Sequence, residues 1–509
     1  MTAKHYLKGS TTIMGSPKKP LILPSLSKII FYQLLIFLSI ITCSIYSWSK
    51  IGPLSATDDF TIDKNRMILE KVKENSSNKL AKCLDGSQPA YYIRKGFGDG
   101  ADKFMLYLEG GGWCYFENLE KFRAQFVVGN YSGISYETFE NWEKLKNSDQ
   151  HGEYQKMNFC DYRKNSKLGS TLNDDQDMKT TDFGILSSNP ARNPNFYNWN
   201  LVWFRYCDGG SFSGTREDTG LSPPSDDNSP IYYRGKYIFD AIIQDLEEKY
   251  DLGSSTIKNI VLSGTSAGGL ATFLRCDDLK YDKFKYQVEK YDLDIKCIAD
   301  TGFFLDQASI SGKQVIRTQY QSMIELHQIA RPQFCSSSSS SSSHKSPISK
   351  MYSKSFCLFP EYFADQIKTK FLIVQPLYDA WQTTNVWFPE DINLLPDAEW
   401  YACAKNLNDC KPLQRQIAEV YRSSTAKALF SLLERNGKEE SNNNLSVYLH
   451  SCHIHSQIIF PPFEKILVDG KSIKKVVSEF MSENSYNQVV IDGHSFGENP
   501  SCKSFRGFG

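Results

Sequence analysis

The chain has 509 residues, with 58 basic side chains against 58 acidic ones. Five of its lysines precede a long uncharged apolar run, so the remainder carries 53 basic against 58 acidic groups, a net charge near −5. That mildly acidic balance argues against a nucleic-acid partner, which would require a basic face, and no internal repeat divides the chain.

The apolar run is Ile29 to Trp48, long enough to span a bilayer. Lys4, Lys8, Lys18, Lys19 and Lys28 lie before it without an acidic residue, which places the N-terminus in the cytosol and the rest in a lumen or outside the cell. The segment predicts an uncleaved signal anchor. A cleaved secretory signal is the alternative, but its apolar core would be unusually long and no small-x-small cleavage site follows. The expected organisation is a basic cytosolic tail (1–28), a membrane anchor (29–48), a polar stem (49–78) and one catalytic domain with long insertions (79–509). The destination is the secretory pathway, with the protein held in the membrane or, if the segment is cleaved, secreted.

Lys103 to Glu109 reads as a buried strand running into Gly110-Gly111-Gly112-Trp113-Cys114. A glycine run after an early strand can offer backbone N–H groups to a developing negative charge with no Cβ in the way. The expected donors are the amides of Gly112 and Trp113, joined by that of Ala267. Glu117 to Asn195, rich in aromatic residues, Asn and Asp, reads as a cap or rim.

Ala241 to Tyr250 forms an amphipathic helix, and the apolar run Ile257 to Leu262 then breaks into Gly264-Thr265-Ser266-Ala267-Gly268 before a helix-favouring segment. Gly-x-Ser-x-Gly between a strand and a helix is the setting in which the serine hydroxyl is exposed on a sharp turn. Small flanking residues keep the turn clear of its neighbours. Ser266 is the expected nucleophile, and the fold class is α/β, an α/β-hydrolase with a mostly parallel sheet.

That fold orders its triad Ser, acid, His along the chain. Asp208 precedes Ser266 and is out of order. Asp300 and Asp306 flank the strand Ile295 to Ala299 and its following turn, and Asp379 follows the buried run Lys370 to Gln375. Position favours Asp379 on the loop past a central strand. For the base, His327 lies on a helical stretch and His344 beside the tract Ser336 to Ser343, a low-complexity loop. His450, His453 and His455 follow the strand Leu445 to Leu449, and His494 lies in the tail; spacing alone does not choose among the clustered three. The long helix Leu413 to Asn436 precedes that strand. The cluster lacks His-Glu-x-x-His or Cys-x-x-Cys, so no metal is expected.

Thirteen cysteines less Cys43 leave twelve, an even number in a compartment that permits disulfides. Cys335 with Cys357 and Cys403 with Cys410 could staple loops. Asn75, Asn130 and Asn444 head Asn-x-Ser sequons.

Six motifs occur in order: Leu108 to Cys114, Arg205 to Gly214, Gly264 to Ala271, Asp300 to Asp306, Tyr378 to Gln382 and Ser451 to Gln457. Together they resemble the pectin acetylesterase family, which also contains the Notum carboxylesterases, and Leu-Glu-Gly-Gly-Gly-Trp-Cys resembles the plant members more closely. The resemblance implies ester hydrolysis without a cofactor, with Ser266 as nucleophile, Asp379 as acid and His455 as base, because the family pattern Ser-Cys-x-x-His skips His453. It places the oxyanion donors at Gly112, Trp113 and Ala267. Plant members typically have Cys where this chain has Thr265 and Ser456, and the serine-rich insertion is also atypical. The expected substrate is an acetylated, pectin-like polysaccharide. A Notum-like deacylase of a lipidated protein and a catalytically silent cell-surface binding protein are the alternatives.

Overall fold

The computed structural model describes residues 63–118, 156–218, 229–329, 355–388, 399–437, 444–482 and 487–505. The expected tail and anchor, most of the stem, Asn130, Cys335, His344 and the tract Ser336 to Ser343 lie outside them. Among the described residues no helix is long and apolar enough to cross a membrane.

Among the described residues the main sheet has ten strands: β1 (Arg66–Lys71), β2 (Ala90–Arg94), β3 (Lys103–Leu108), β4 (Asp177–Lys179), β5 (Asn200–Phe204), β6 (Asn259–Thr265), β7 (Asp294–Asp300), β8 (Lys370–Asp379), β9 (Leu445–Ile454) and β10 (Val489–Ile491). Their order is β10-β9-β8-β7-β6-β3-β5-β2-β1-β4. The pairs from β10 to β5 are parallel, and β2, β1 and β4 add antiparallel edges.

Both faces of the sheet are covered, which is what a parallel sheet requires. Side chains alternate between two cores as period-two strands must. Phe104, Leu106, Val202, Phe204, Ile260, Leu262, Phe371 and Ile373 join one core. Met105, Tyr107, Leu201, Trp203, Val261, Leu372 and Val374 join the other. The first core is closed by α1 (Gly235–Tyr250), α2 (Ala267–Asp277), α3 (Val315–His327) and α4 (Pro412–Asn436). On the second face lies α5 (Ile473–Met481), whose Ile473, Val476, Val477 and Phe480 are all buried.

Three expectations change. β1 falls inside the stretch read as a polar stem, so the folded domain begins before residue 79; β1 carries Arg66, Glu70 and Lys71 beside the sheet edge and mimics a linker. Part of the expected cap is core instead: β4 extends the sheet, and Ile185 and Leu186 are buried beneath it. Strands β8 and β9 also run on, to Asp379 and Ile454, because their pairing resumes after a register shift between Pro376 and Tyr378. Asp379 therefore ends a strand rather than sitting on a loop.

Among the described residues, disulfides join Cys83–Cys207, Cys114–Cys160, Cys276–Cys297, Cys403–Cys410 and Cys452–Cys502. Cys357 is also disulfide-bonded.

Candidate active site

Parallel strands bring their carboxyl ends to one edge of the sheet, and the expected site residues collect there. Ser266 caps α2 in a turn with φ 59° and ψ −122°, outside the conformations a serine ordinarily adopts. Its neighbours must be small. A Cβ at Gly264 would lie 2.4 Å from the Gly268 carbonyl oxygen, and one at Gly268 would lie 2.1 Å from that of Leu108.

Ser266 Oγ lies 2.8 Å from His455 Nε2. The other ring nitrogen, Nδ1, lies 3.0 and 3.1 Å from the two Asp379 oxygens. Asp379 is fully buried, and its Oδ1 also accepts from the Gln382 amide at 2.9 Å. Burial alone would lower the pKa of His455, but the Asp379 carboxylate outweighs it and holds the imidazole above its ordinary value.

The other candidates are committed elsewhere. His450 faces Gln457, and His453 lies 2.9 Å from Thr383 Oγ1; burial pushes each down to about 4, so both are neutral. His327 is a buried core residue whose Nε2 lies 2.8 Å from the Cys114 carbonyl oxygen. Its ring also meets the Cys114 and Cys160 sulfurs, but those are joined as a disulfide and are not thiolate ligands. His494 is exposed and pairs with Asp492. Asp306 makes a two-pronged ion pair with Arg317, and Asp208 accepts from the amides of Gly210 and Phe212. Asp300 lies beside the Ser266–His455–Asp379 series without belonging to it, taking a hydrogen bond from Thr265 and others from the chain just after His455.

The glycine run wraps over the serine. Amides of Gly112, Trp113 and Ala267 donate to no protein acceptor among the described residues. For Gly112 and Trp113 the preceding carbonyls explain this. Arg163 Nη1 donates to the Gly111 oxygen at 2.8 Å, the Tyr206 hydroxyl donates to the Gly112 oxygen at 2.8 Å, and Ser211 Oγ donates to the Ala267 oxygen at 2.8 Å. In a trans peptide the N–H points away from its C=O, so fixing the carbonyls of Gly111 and Gly112 aims the amides of Gly112 and Trp113 the opposite way. No local motif holds Arg163, and none states the part that Tyr206 and Ser211 play. Tyr206 and Ser211 lie within the Arg205 to Gly214 motif, and Arg163 lies on the short helix Phe159–Arg163 inside the expected cap.

Above the serine is a cavity of about 510 Å³, lined by Trp113, Tyr115, Phe159, Trp381 and Ile459 among others. Trp113 packs edge-on against Phe304, Tyr320 and Trp381, with ring centroids 4.7, 5.2 and 5.5 Å away.

A serine, an imidazole and a carboxylate in hydrogen-bonded series, beside unspent amides and an apolar cavity, can carry acyl transfer. The pectinacetylesterase family model matches residues 62–133 and 150–503. The chain belongs to the pectinacetylesterase family. Pectin acetylesterase 5 of Arabidopsis thaliana is 29% identical over 454 residues, covering 87% of this chain and 88% of the relative. Pectin acetylesterase 11 of the same plant is 30% identical, covering 84% and 91%. Palmitoleoyl-protein carboxylesterase NOTUM of Mus musculus is 27% identical over 47% of this chain and 37% of its own. The solved structure of the Wnt deacylase Notum from Drosophila shares the fold, with a TM-score of 0.57 and 20% identity over 86% of this chain and 99% of that one. This pectinacetylesterase-family chain is a carboxylic-ester hydrolase.

Proposed function

We propose that the protein removes acetyl groups from an acylated, pectin-like polysaccharide through a Ser266–His455–Asp379 triad. The observation that carries the reading is the unbroken series from Ser266 Oγ through both ring nitrogens of His455 to Asp379, with contacts of 2.8 and 3.0 Å.

His455 Nε2 takes the hydroxyl proton as Ser266 Oγ attacks the ester carbonyl. The new oxyanion is held by the amides of Gly112, Trp113 and Ala267, and Asp379 stabilises the imidazolium. His455 then gives its proton to the leaving alkoxide, freeing the sugar hydroxyl. Water, deprotonated by His455, attacks the acyl-serine and releases acetate. Ser266→Ala should stay folded and lose turnover of p-nitrophenyl acetate; wild-type turnover in that variant sinks the mechanism. Failure of the folded wild type to label with a fluorophosphonate would instead support the silent binding protein.

The substrate assignment follows the plant relatives, which match over most of their length, whereas the mouse carboxylesterase matches over 37% of its own. One observation favours a longer acyl group. The cavity, at about 510 Å³ and lined by Trp113, Phe159 and Trp381, falls within the size range of sites that enclose whole small molecules. A panel of p-nitrophenyl esters from acetyl to palmitoyl separates the readings. A steep fall in kcat/KM beyond butyryl supports deacetylation, and a rise toward palmitoyl supports deacylation of a lipidated protein.

A further inference from the structure

We infer that Asp300 is a positioning residue that ties the loop after His455 to the turn bearing Ser266 and so keeps the base aligned on the nucleophile. The inference rests on the triad reading above. Asp300 ends β7, is fully buried, and touches both partners of the proton transfer through their chain neighbours. Its backbone oxygen accepts the Ser266 amide at 2.9 Å. Its side-chain Oδ2 accepts from Thr265 Oγ1 at 2.9 Å and from the amides of Gln457 and Ile458 at 2.8 and 3.1 Å. The other oxygen, Oδ1, accepts from Gln457 Nε2 at 2.8 Å.

Ser456, between the base and those two amides, has φ 70°, a left-handed conformation that a serine seldom adopts unaided. The Asp300 carboxylate is what holds the chain in it. A one-residue relaxation there would swing the His455 ring off Ser266, and small misplacements of this kind are costly in rate.

The hydrogen-bond directions show which form of Asp300 the site is built for. The Cys452 amide donates to His450 Nδ1 at 3.2 Å, so the His450 proton sits on Nε2 and is given to Gln457 Oε1. Gln457 must then present its NH₂ to Asp300. On the other side Tyr107 donates to Thr265 Oγ1 at 2.8 Å, leaving the Thr265 hydrogen for Asp300. Every group around the carboxylate is a donor, so only the ionised form satisfies them all. Burial opposes that form, pushing the pKa up to about 6 against the pull of these donors.

The ionised carboxylate also faces the imidazole. The charged groups around His455 are Asp379 from β8 and Asp300 from β7. Tyr107, Glu109 and Arg163 line the same cavity. Glu109 is engaged by Arg205, and Arg163 by the Leu168 and Gly111 carbonyls.

The test places Asp300→Asn beside Ser266→Ala in the full chain. Asp300→Asn is expected to lower kcat for p-nitrophenyl acetate about tenfold or more with KM nearly unchanged. The acid limb of kcat/KM should also move to lower pH, since an amide no longer favours the imidazolium. A purely structural role would lower the melting temperature and leave both kcat and the limb in place, and that result overturns the inference. If Ser266→Ala is active, the triad reading fails; if it is dead while Asp300→Asn behaves as wild type, only the Asp300 role fails. Should Asp300→Asn not fold, Thr265→Val and Thr265→Ser decide. A several-fold loss of kcat in Thr265→Val that Thr265→Ser restores supports the tether, and wild-type kcat in Thr265→Val overturns it.

Discussion

The Tyr206 hydroxyl donates to the carbonyl oxygen of Gly112, 94 residues away in sequence, at 2.8 Å. With the Arg163 bond to the Gly111 oxygen, it fixes the peptide planes whose N–H groups are the oxyanion donors of the proposed mechanism. Tyr206→Phe keeps the ring, and with it the stack under Arg163, whose guanidinium lies 5.0 Å from the ring centroid, but removes the donor. Removing an oxyanion donor outright costs about 10²–10³ in kcat. Loosening one should cost less, about tenfold, with KM nearly unchanged because the ground-state ester makes weaker use of those amides. Steady-state kinetics on p-nitrophenyl acetate measures the split.

The pH profile follows from His455. Burial favours its neutral form, Asp379 favours the imidazolium, and the carboxylate prevails, so the pKa lies above the ordinary value. In the proposed mechanism His455 serves as the base only when neutral. Activity should therefore fall in acid, with an apparent pKa for kcat/KM above about 6.5. In Asp379→Asn burial is opposed by Asp300 alone, so the limb of the residual activity should move to lower pH. The same variant should lose about 10⁴ in kcat, the scale seen when a triad aspartate is made neutral. His450 and His453, already neutral with values of about 4, do not contribute to the limb.

How much of this could be read from the chain depends on how local each cause is. The turn at Ser266 was legible because its strand, small residues and helix are consecutive. The base was not, on spacing alone. Pro376 looked like the end of a strand, as proline usually breaks a ladder, yet it sits at a register shift beyond which β8 and β9 continue to pair. That extension carries His450 and His453 into the strand and leaves His455 as the first residue past it. The resemblance singled out His455, whereas position past a central strand already favoured Asp379. Arg163 had no signal, and Tyr206 and Ser211 had only their place in the Arg205 to Gly214 motif, because each acts on a backbone carbonyl and any residue supplies one. Asp300 was read as a rival acid. Its carboxylate is occupied by Thr265, Gln457 and Ile458, contacts that exist only once β6, β7, β8 and β9 are assembled in one sheet.

The glycines of the turn give a sharper test of the fold. A methyl group at Gly268 would meet the Leu108 carbonyl oxygen at 2.1 Å and the Glu109 carbonyl oxygen at 2.8 Å, and neither backbone atom can rotate away. Gly112 differs, with nothing within 4 Å of the added Cβ but a φ of 65° that favours glycine. Gly268→Ala should therefore cost about 3 kcal/mol or more, in the range of overpacked core sites. Gly112→Ala should cost about 1 kcal/mol from backbone strain. Chemical denaturation of both variants checks the order, and a Gly268→Ala protein as stable as wild type would mean that α2 does not pack against β3 as described.

Disulfide removal offers a ranking that does not depend on the triad. Cys114–Cys160 closes a loop of 46 residues and joins the oxyanion loop to the helix bearing Arg163, whereas Cys403–Cys410 closes one of 7. Chain entropy alone assigns about 4 kcal/mol to the first and about 2 kcal/mol to the second. Serine pairs at each position should therefore lower stability in that order. Their effects on kcat should diverge further, because only the first pair anchors Arg163 beside the Gly111 carbonyl. Loss of Cys403–Cys410 should leave kcat within about twofold of wild type at temperatures where the variant is folded. Loss of Cys114–Cys160 should lower it by a factor comparable to Tyr206→Phe, about tenfold, since both release the same loop. Equal kcat in the two serine variants, measured well below their melting temperatures, would show that the disulfide at 114 is a stabilising staple with no part in holding the amides.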